Sequence, residues 1–266
     1  MGEAPQAVIR PYEDPPDLQQ QMLNLRNYML HWMYKGIYSD DYFVLDLETT
    51  GVDFLVDLVL EAGWAVIRNR KVVHCGGIVF DWSRHPFVSW DRVCSRMADL
   101  RQRFAEKGRT YHFTPERLQQ EGIPAEQATQ QLFAFLADML NRNRLTVGAN
   151  LFQFDRHMLD GFFHRYAQQQ LPWQQTTIFD VGLMEKAVQQ YSVPFPEDSL
   201  YAWQTRIAKP PYNVRWALDN WITPKYRLSI RHGVDNANAH GGAYDSLVIH
   251  RTYETFRDVA EGRFQL

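Results

Sequence analysis

The stretch FVLDLETTG, residues 43–51, places two carboxylates at the end of an apolar run that is typical of a buried strand. Side chains two positions apart on a strand share a face, so Asp46 and Glu48 would project side by side from an apolar wall. Two anions placed in this way repel each other, and each loses hydration. A cation between them would remove both costs. The alternative is a strand that ends at Leu45, with both acids as solvated loop residues.

The rest of the chain alternates between strand and helix patterns. Further strands are predicted at residues 58–67, 71–80, 145–149 and 176–179. Helical spacing predicts helices at residues 18–34, 90–106, 124–140, 155–167, 198–207, 214–221 and 243–259, with another that begins at residue 181. This order describes one mixed α/β domain, a five-stranded sheet flanked by helices, with an extra helix at the N-terminal end.

Composition limits the cellular compartment and the classes of binding partner that we expect for this protein. The formal net charge of −3 argues against a protein that coats polyanions in general, although a local basic groove stays possible. No apolar stretch approaches the length of a membrane span, so no membrane partner is expected. Cys75 and Cys94 form no CxxC pattern, which disfavours a zinc knuckle or a disulfide framework. We therefore expect a cytoplasmic protein.

Two later motifs carry further candidate residues. Asp155 ends an apolar strand-to-helix passage in VGANLFQFDRHML, where a helix N-cap would be the ordinary explanation. In HGGAYDSLVIHR, His240 lies five residues before Asp245, and Gly241 and Gly242 permit a turn that brings both side chains together. Asp245 would then lie in the first turn of a helix, where the helix dipole favours its charge.

The ordered set of motifs resembles the DEDDh 3′–5′ exonucleases, the DnaQ-like superfamily. DLETTG matches their first motif at Asp46 and Glu48, NLFQFD the second at Asp155, and HGGAYD the third at His240 and Asp245. Within that superfamily, the phrases GANLFQFD, HGVDNANAHGGAYD and FTPERLQQEG look like the catalytic domain of the bacterial exonuclease I family. The resemblance implies a ribonuclease H-like fold.

The resemblance spans residues 41–258 and has departures. The continuation TTG at residues 49–51 is closer to proofreading subunits, and residues 90–106 look like an added helix. A subclass with Tyr four residues before the last Asp is excluded, because position 241 is Gly. By this resemblance residues 41–266 form the exonuclease domain, and residues 1–40 form a lead and a helix.

The resemblance also implies a chemistry. Asp46, Glu48, Asp155 and Asp245 would hold two Mg²⁺ or Mn²⁺ ions, the hard cations that carboxylate oxygens favour. His240 would act as the general base that deprotonates the attacking water. The implied reaction releases nucleoside 5′-monophosphates from the 3′ end of nucleic acid, in the first instance single-stranded DNA. RNA ends, or a catalytically silent module that only binds nucleic acid, are the alternatives, and the sequence names no protein partner.

Basic and aromatic residues alternate over residues 201–232, where Asp219 is the only acid. Basic side chains contact phosphates and aromatic faces stack bases, so this segment is predicted to bind single-stranded nucleic acid. Its tryptophans suit a hydrophobic core equally well, and both interpretations stay open. The predicted substrate-binding residues are Thr49, Thr50, Gly51, Asn150, Tyr226, Arg227 and Arg231.

Overall fold

A computed structural model describes residues 18–106, 111–208 and 241–263. Its sheet has six strands in the order β4-β3-β2-β1-β5-β6. The strands are β1 (Tyr42–Thr49), β2 (Val59–Arg68), β3 (Lys71–Asp81), β4 (Ile123–Pro124), β5 (Leu145–Gly148) and β6 (Thr177–Asp180). The predicted mixed sheet is confirmed, and the two-residue β4 joins the five predicted strands as a sixth.

Eight helices flank the sheet within the described ranges. They are α1 (Leu18–Tyr34), α2 (Trp90–Glu106), α3 (Pro115–Glu121), α4 (Ala125–Arg142), α5 (Arg156–Tyr166), α6 (Val181–Gln189), α7 (Leu200–Ala208) and α8 (Gly242–Ala260). Single turns lie at Leu151–Asp155, a π-helical turn, and at Trp173–Gln175. The helix predicted at residues 214–221 lies outside the described residues.

Strand β1 is the centre of the sheet. It pairs antiparallel with β2 and parallel with β5, and its first six residues are buried. Burial on both faces explains its nearly continuous apolar sequence. Because β1 and β5 run in parallel, their carboxyl ends meet at the same edge of the sheet. The residues that follow β1 and the residues that follow β5 therefore lie at the same edge of the sheet.

The two faces of β1 pack against different helices. Phe43 contacts Phe135 of α4 with ring centroids 5.9 Å apart, whereas Tyr42 contacts Tyr253 of α8 at 5.0 Å. Since alternate residues share a face, Asp46 lies on the same face as Tyr42. The acidic side chains of β1 thus project on the side of the sheet that α8 covers.

The extra N-terminal helix is part of the same hydrophobic core. Trp32 of α1 is fully buried and lies 5.2 Å from Trp203 of α7 between ring centroids. Tyr28 and Met29 are also buried, and α1 packs on α6 and α8. None of the helices in the described part of the chain combines the length and the hydropathy that crossing a membrane requires.

Candidate active site

Three carboxylates meet at the carboxyl end of β1. Asp46, Glu48 and Asp245 each contribute an atom to a group whose members lie within 4.8 Å of one another. Asp46 is 5% exposed and Asp245 is fully buried, while Glu48 is half-buried. Strand β1 continues to Thr49, so the two acids of β1 are strand residues and not a solvated loop.

The donor set fits a hard divalent cation. It consists of carboxylate oxygens, which Mg²⁺ and Mn²⁺ favour over softer ligands. Bringing three carboxylates into one largely buried group without a cation costs free energy through repulsion and lost hydration. The structure therefore supports the metal-binding interpretation of Asp46 and Glu48, with Asp245 as their partner.

Two glycines bring Asp245 to the sheet. Asp46 is paired with Gly63 of β2, and a Cβ at Gly63 would lie 1.8 Å from the carbonyl carbon of Gly242. The backbone at the start of α8 therefore rests directly on β2 beside Asp46. Asp245 lies in the first turn of α8, as predicted. Gly241 has an extended backbone with φ −114, and Gly242 begins the helix. The predicted approach of His240 to Asp245 stays a prediction, because residue 240 lies outside the described residues.

Glu61 holds the same end of α8. It is paired with Glu48 across the β1–β2 ladder, so both side chains share a face. Its carboxylate accepts hydrogen bonds from the backbone of Ala243 and Gly242, and Arg117 of α3 lies 3.1 Å from it. Burial raises the pKa of Glu61, and Arg117 opposes that shift. Glu61 therefore positions α8 beside the cluster.

Tyr111 is a further neighbour that the sequence did not single out. It is buried, and its pKa is raised by burial and by the charge of Glu48. The next residue, His112, lines a cavity of about 360 Å³ at the start of α8. The cavity is lined by Glu61, His112, Arg117, Gly241, Ala243 and Tyr244. A larger cavity of about 880 Å³, between α5, β6 and α7, contains none of the three clustered carboxylates.

Asp155 lies on the π-helical turn that follows β5. Its side chain is 3% exposed and makes no capping hydrogen bond at the start of α5, which disfavours the N-cap explanation. Among the described residues, the group with ligand spacing consists of the other three acids, and Asp155 is not part of it. The turn nevertheless follows the parallel neighbour of β1. A role for Asp155 as a metal ligand stays a prediction.

Asp180, at the end of β6, holds the turn that carries Asp155. Its carboxylate accepts hydrogen bonds from the N–H groups of Asn150 at 3.2 Å and Phe152 at 3.0 Å. It also accepts a hydrogen bond from the N–H group of Leu183 at 3.0 Å and so caps the start of α6. Burial raises the pKa of Asp180 to about 6, and these backbone donors oppose the shift. The sequence carried no signal for the contact with residues 150–152.

The remaining predicted residues have mixed outcomes. The Thr50 N–H donates to the Leu58 carbonyl at 3.0 Å, and its hydroxyl donates to Asp57 at 2.9 Å, so Thr50 is already engaged within the protein. Gly51 leaves room for the Asp57 carboxylate, which would lie 2.4 Å from a Cβ. Asn150 adopts φ 66, a backbone conformation that Asn tolerates well. His240, Tyr226, Arg227 and Arg231 lie outside the described residues.

At the start of the 201–232 segment, some side chains lie in the core and others lie at the surface. Trp203 is 1% exposed, as the core interpretation requires. Tyr201 is 62% exposed, and Arg206 forms an ion pair with Asp198 at 2.6 Å. The part of this segment that the structure describes therefore leaves Tyr201 as its one exposed aromatic residue.

Comparisons with known proteins place this geometry in a fold. No protein-family profile and no curated protein sequence matches the chain. Among solved structures, E. coli exonuclease I in complex with a dA16 oligonucleotide matches with a TM-score of 0.52 and 13% identity, over 84% of this chain and 43% of that chain. The chain has the exonuclease I fold. The ribonuclease H-like fold class that the motifs implied is thereby confirmed.

Two further structures with the exonuclease I fold agree. A zinc-ion-bound form of the E. coli exonuclease I complex with single-stranded DNA has a TM-score of 0.51 and 13% identity, over 85% of this chain and 42% of that chain. A structure of exonuclease I described as suggesting how processivity is achieved has a TM-score of 0.51 and 14% identity, with the same coverages. The chain thus spans less than half the length of the exonuclease I chains that it matches.

Proposed function

We propose that this protein is a metal-dependent 3′–5′ exonuclease that releases nucleoside 5′-monophosphates from the 3′ end of single-stranded DNA. The observation that carries the proposal is the meeting of Asp46, Glu48 and Asp245 on the central strand and the last described helix of an exonuclease I fold. Solved structures of that fold include complexes with a dA16 oligonucleotide and with single-stranded DNA, which supports this substrate class.

Asp46, Glu48 and Asp245 would hold divalent metal, Mg²⁺ or Mn²⁺, with Asp155 as the fourth ligand implied by the motifs. Two such ions, when bound, polarise a phosphodiester and make a nucleophile available from water at neutral pH. The chain contributes a fixed, largely buried arrangement of ligands. Glu61 and the Gly63–Gly242 contact fix the position of α8, and Asp180 fixes the turn of Asp155.

His240 completes the proposed chemistry. It immediately precedes Gly241, which lines the cavity beside the start of α8. In the proposed step, His240 takes a proton from water as the water oxygen attacks the last phosphorus atom. The bond from phosphorus to the 3′ oxygen of the shortened strand breaks, and that oxygen leaves with a proton from solvent. The released product is a nucleoside 5′-monophosphate.

The test is incubation with 5′-labelled oligonucleotides, as single and double strands of DNA and RNA, with Mg²⁺, Mn²⁺ or EDTA. We expect a ladder of products shortened from the 3′ end of single-stranded DNA, with cleavage abolished by EDTA and by Asp46→Asn. Faster shortening of RNA would reassign the substrate to RNA. Binding without shortening under every metal condition would contradict an exonuclease and favour a silent binding module.

A further inference from the structure

A second cavity lies beside the carboxylate cluster and has a different chemistry. Its volume is about 300 Å³, at the lower end of the range for ligand pockets. It lies between the loop after β1, the helix α2 and the end of α5, and Thr50 forms part of its wall. Thr50 is two residues from Glu48, so the two Cα atoms lie within roughly 7 Å of each other. The cavity therefore begins next to the candidate active site.

Three arginines line this cavity. Arg96 lies 3.3 Å from the buried carboxylate of Asp57, and Arg165 donates to the Asp57 carbonyl at 2.7 Å. The guanidinium of Arg165 also lies 5.4 Å from the ring centroid of Tyr166. These interactions orient two guanidinium groups before any ligand arrives. Preorganisation of this kind lowers the entropic cost of binding.

Arg92 adds a third positive charge one turn before Arg96 on α2. It is exposed, and it has no ion-pair partner among the residues that the structure describes. Among the described residues of the lining, Asp57 is the only acid, so three positive charges there oppose one negative charge. A guanidinium binds phosphate oxygens through two parallel N–H groups, so this lining favours a phosphate.

Apolar side chains border the arginines. Phe87 is 88% exposed and Leu55 is 78% exposed, and both line the cavity. Large exposed apolar side chains that line the same cavity are typical of a binding surface. An aromatic face stacks a nucleobase, while a neighbouring arginine binds its phosphate.

We propose that this cavity binds one nucleotide of the substrate strand, next to the nucleotide that is cleaved. The proposal rests on the exonuclease function and adds a specific set of binding residues to it: Arg92, Arg96 and Arg165 for the phosphate and Phe87 for the base. Arg92 and Arg96 lie on α2, the helix that departs from the family resemblance.

The test measures binding of a 5′-fluorescein-labelled single-stranded oligonucleotide in EDTA, by anisotropy at several salt concentrations. Arg92→Glu should weaken affinity by about tenfold or more. The slope of log K against log salt should be less steep by roughly 0.7 for each phosphate that is no longer neutralised. Phe87→Ala should weaken affinity roughly fivefold or more with an unchanged slope, because stacking involves no counterion release. Both side chains are exposed, so melting temperatures should stay close to the wild-type value.

Arg103→Glu is the matched control. Arg103 is exposed on the same helix, undergoes the same change of charge, and is absent from the lining of the cavity. An equal loss of affinity in Arg103→Glu would mean a general electrostatic effect and would overturn the subsite. If the wild-type protein shortens oligonucleotides but Arg92→Glu and Phe87→Ala bind them with normal affinity, the subsite alone is overturned. A wild-type protein that neither binds nor shortens any oligonucleotide would overturn the exonuclease proposal, and the subsite with it.

Discussion

Gly63 of β2 and Gly242 of α8 pack backbone against backbone, and this packing sets the position of Asp245. A Cβ at Gly63 would lie 1.8 Å from the Gly242 carbonyl carbon, and one at Gly242 would lie 2.7 Å from the Gly63 nitrogen. Neither position accepts a larger residue without movement of the helix. The distance between the carboxylates of Asp46 and Asp245 therefore depends on the absence of two side chains.

Gly63→Ala should displace the start of α8 and separate Asp245 from the other carboxylates. We expect at least a tenfold loss of turnover and a loss of unfolding free energy of roughly 1–3 kcal/mol, the usual cost of overpacking. Gly76→Ala in β3 is the control, because a Cβ there would meet its nearest neighbour at an ordinary 3.4 Å. Equal activity in the two variants would show that the close approach of the two backbones does not position the site.

Asp46→Asn should have opposite effects on stability and on activity. Turnover should fall by more than a hundredfold, because a charged ligand of the metal is removed. In EDTA the variant should melt at a higher temperature than the wild type, because repulsion among the buried carboxylates is reduced. Calorimetric titration of Mn²⁺ and thermal melting measure the two effects, with Asp138→Asn on the exposed face of α4 as the control. Unchanged Mn²⁺ affinity would remove Asp46 from the ligand set.

His240→Ala should slow the chemical step by roughly 10²–10⁴-fold, the usual contribution of a general base. Its Mn²⁺ affinity should change much less than that of Asp46→Asn, since His240 is proposed as a base and not as a ligand. Single-turnover kinetics and calorimetry on the same preparation separate these quantities. A loss of metal binding as complete as that in Asp46→Asn would identify His240 as a ligand instead.

Asp180→Ala should release the turn that carries Asp155. The N–H groups of Asn150, Phe152 and Leu183 would lose their acceptor, and buried donors left without partners cost roughly 1–3 kcal/mol each. We expect a loss of unfolding free energy on the order of 3 kcal/mol and a reduced turnover, both measured at a temperature where the variant is folded. Asp180→Asn keeps one acceptor oxygen and should restore part of the unfolding free energy and part of the turnover. A fully active Asp180→Ala variant would disprove the link between Asp180 and the position of Asp155.

His250 should make the protein less stable in acid. Its Nδ1 atom forms a hydrogen bond with the Tyr42 hydroxyl at 2.8 Å, and burial lowers the pKa of His250 to about 4. Between about pH 6.5 and pH 4 the unfolded chain binds a proton that the folded protein excludes, so unfolding free energy falls as the pH falls. Over that range the wild type should lose roughly 3 kcal/mol more than His250→Gln.

Denaturant titrations at several pH values measure this difference. The Asp180 carboxyl titrates in the same range, with a pKa raised to about 6, but its contribution is common to both proteins and cancels in the comparison. Parallel stability curves for the wild type and His250→Gln would show that His250 does not govern the acid response.

Local pattern was sufficient for much of the fold. The helix predicted at residues 90–106 is observed with those bounds, because its apolar residues recur at helical spacing without a competing breaker. The helix predicted at residues 155–167 is observed within one residue of those bounds, at Arg156–Tyr166, but the turn before it was not predicted. The π-helical turn at Leu151–Asp155 depends on the Asp180 carboxylate, which binds its first N–H groups from a distant strand. No property of the turn's own residues could reveal that partner.

The sequence by itself determined that Asp46 and Glu48 share a face of a strand, because the period of two is a property of the extended backbone. It also determined that Asp245 lies in the first turn of a helix. Which carboxylates meet was decided only by the tertiary structure. The packing of Gly63 on Gly242 brings Asp245 to β1, whereas Asp155 lies outside the group with ligand spacing. Distances between residues far apart in the chain depend on how the sheet and helices pack, and local periodicity carries no information about them.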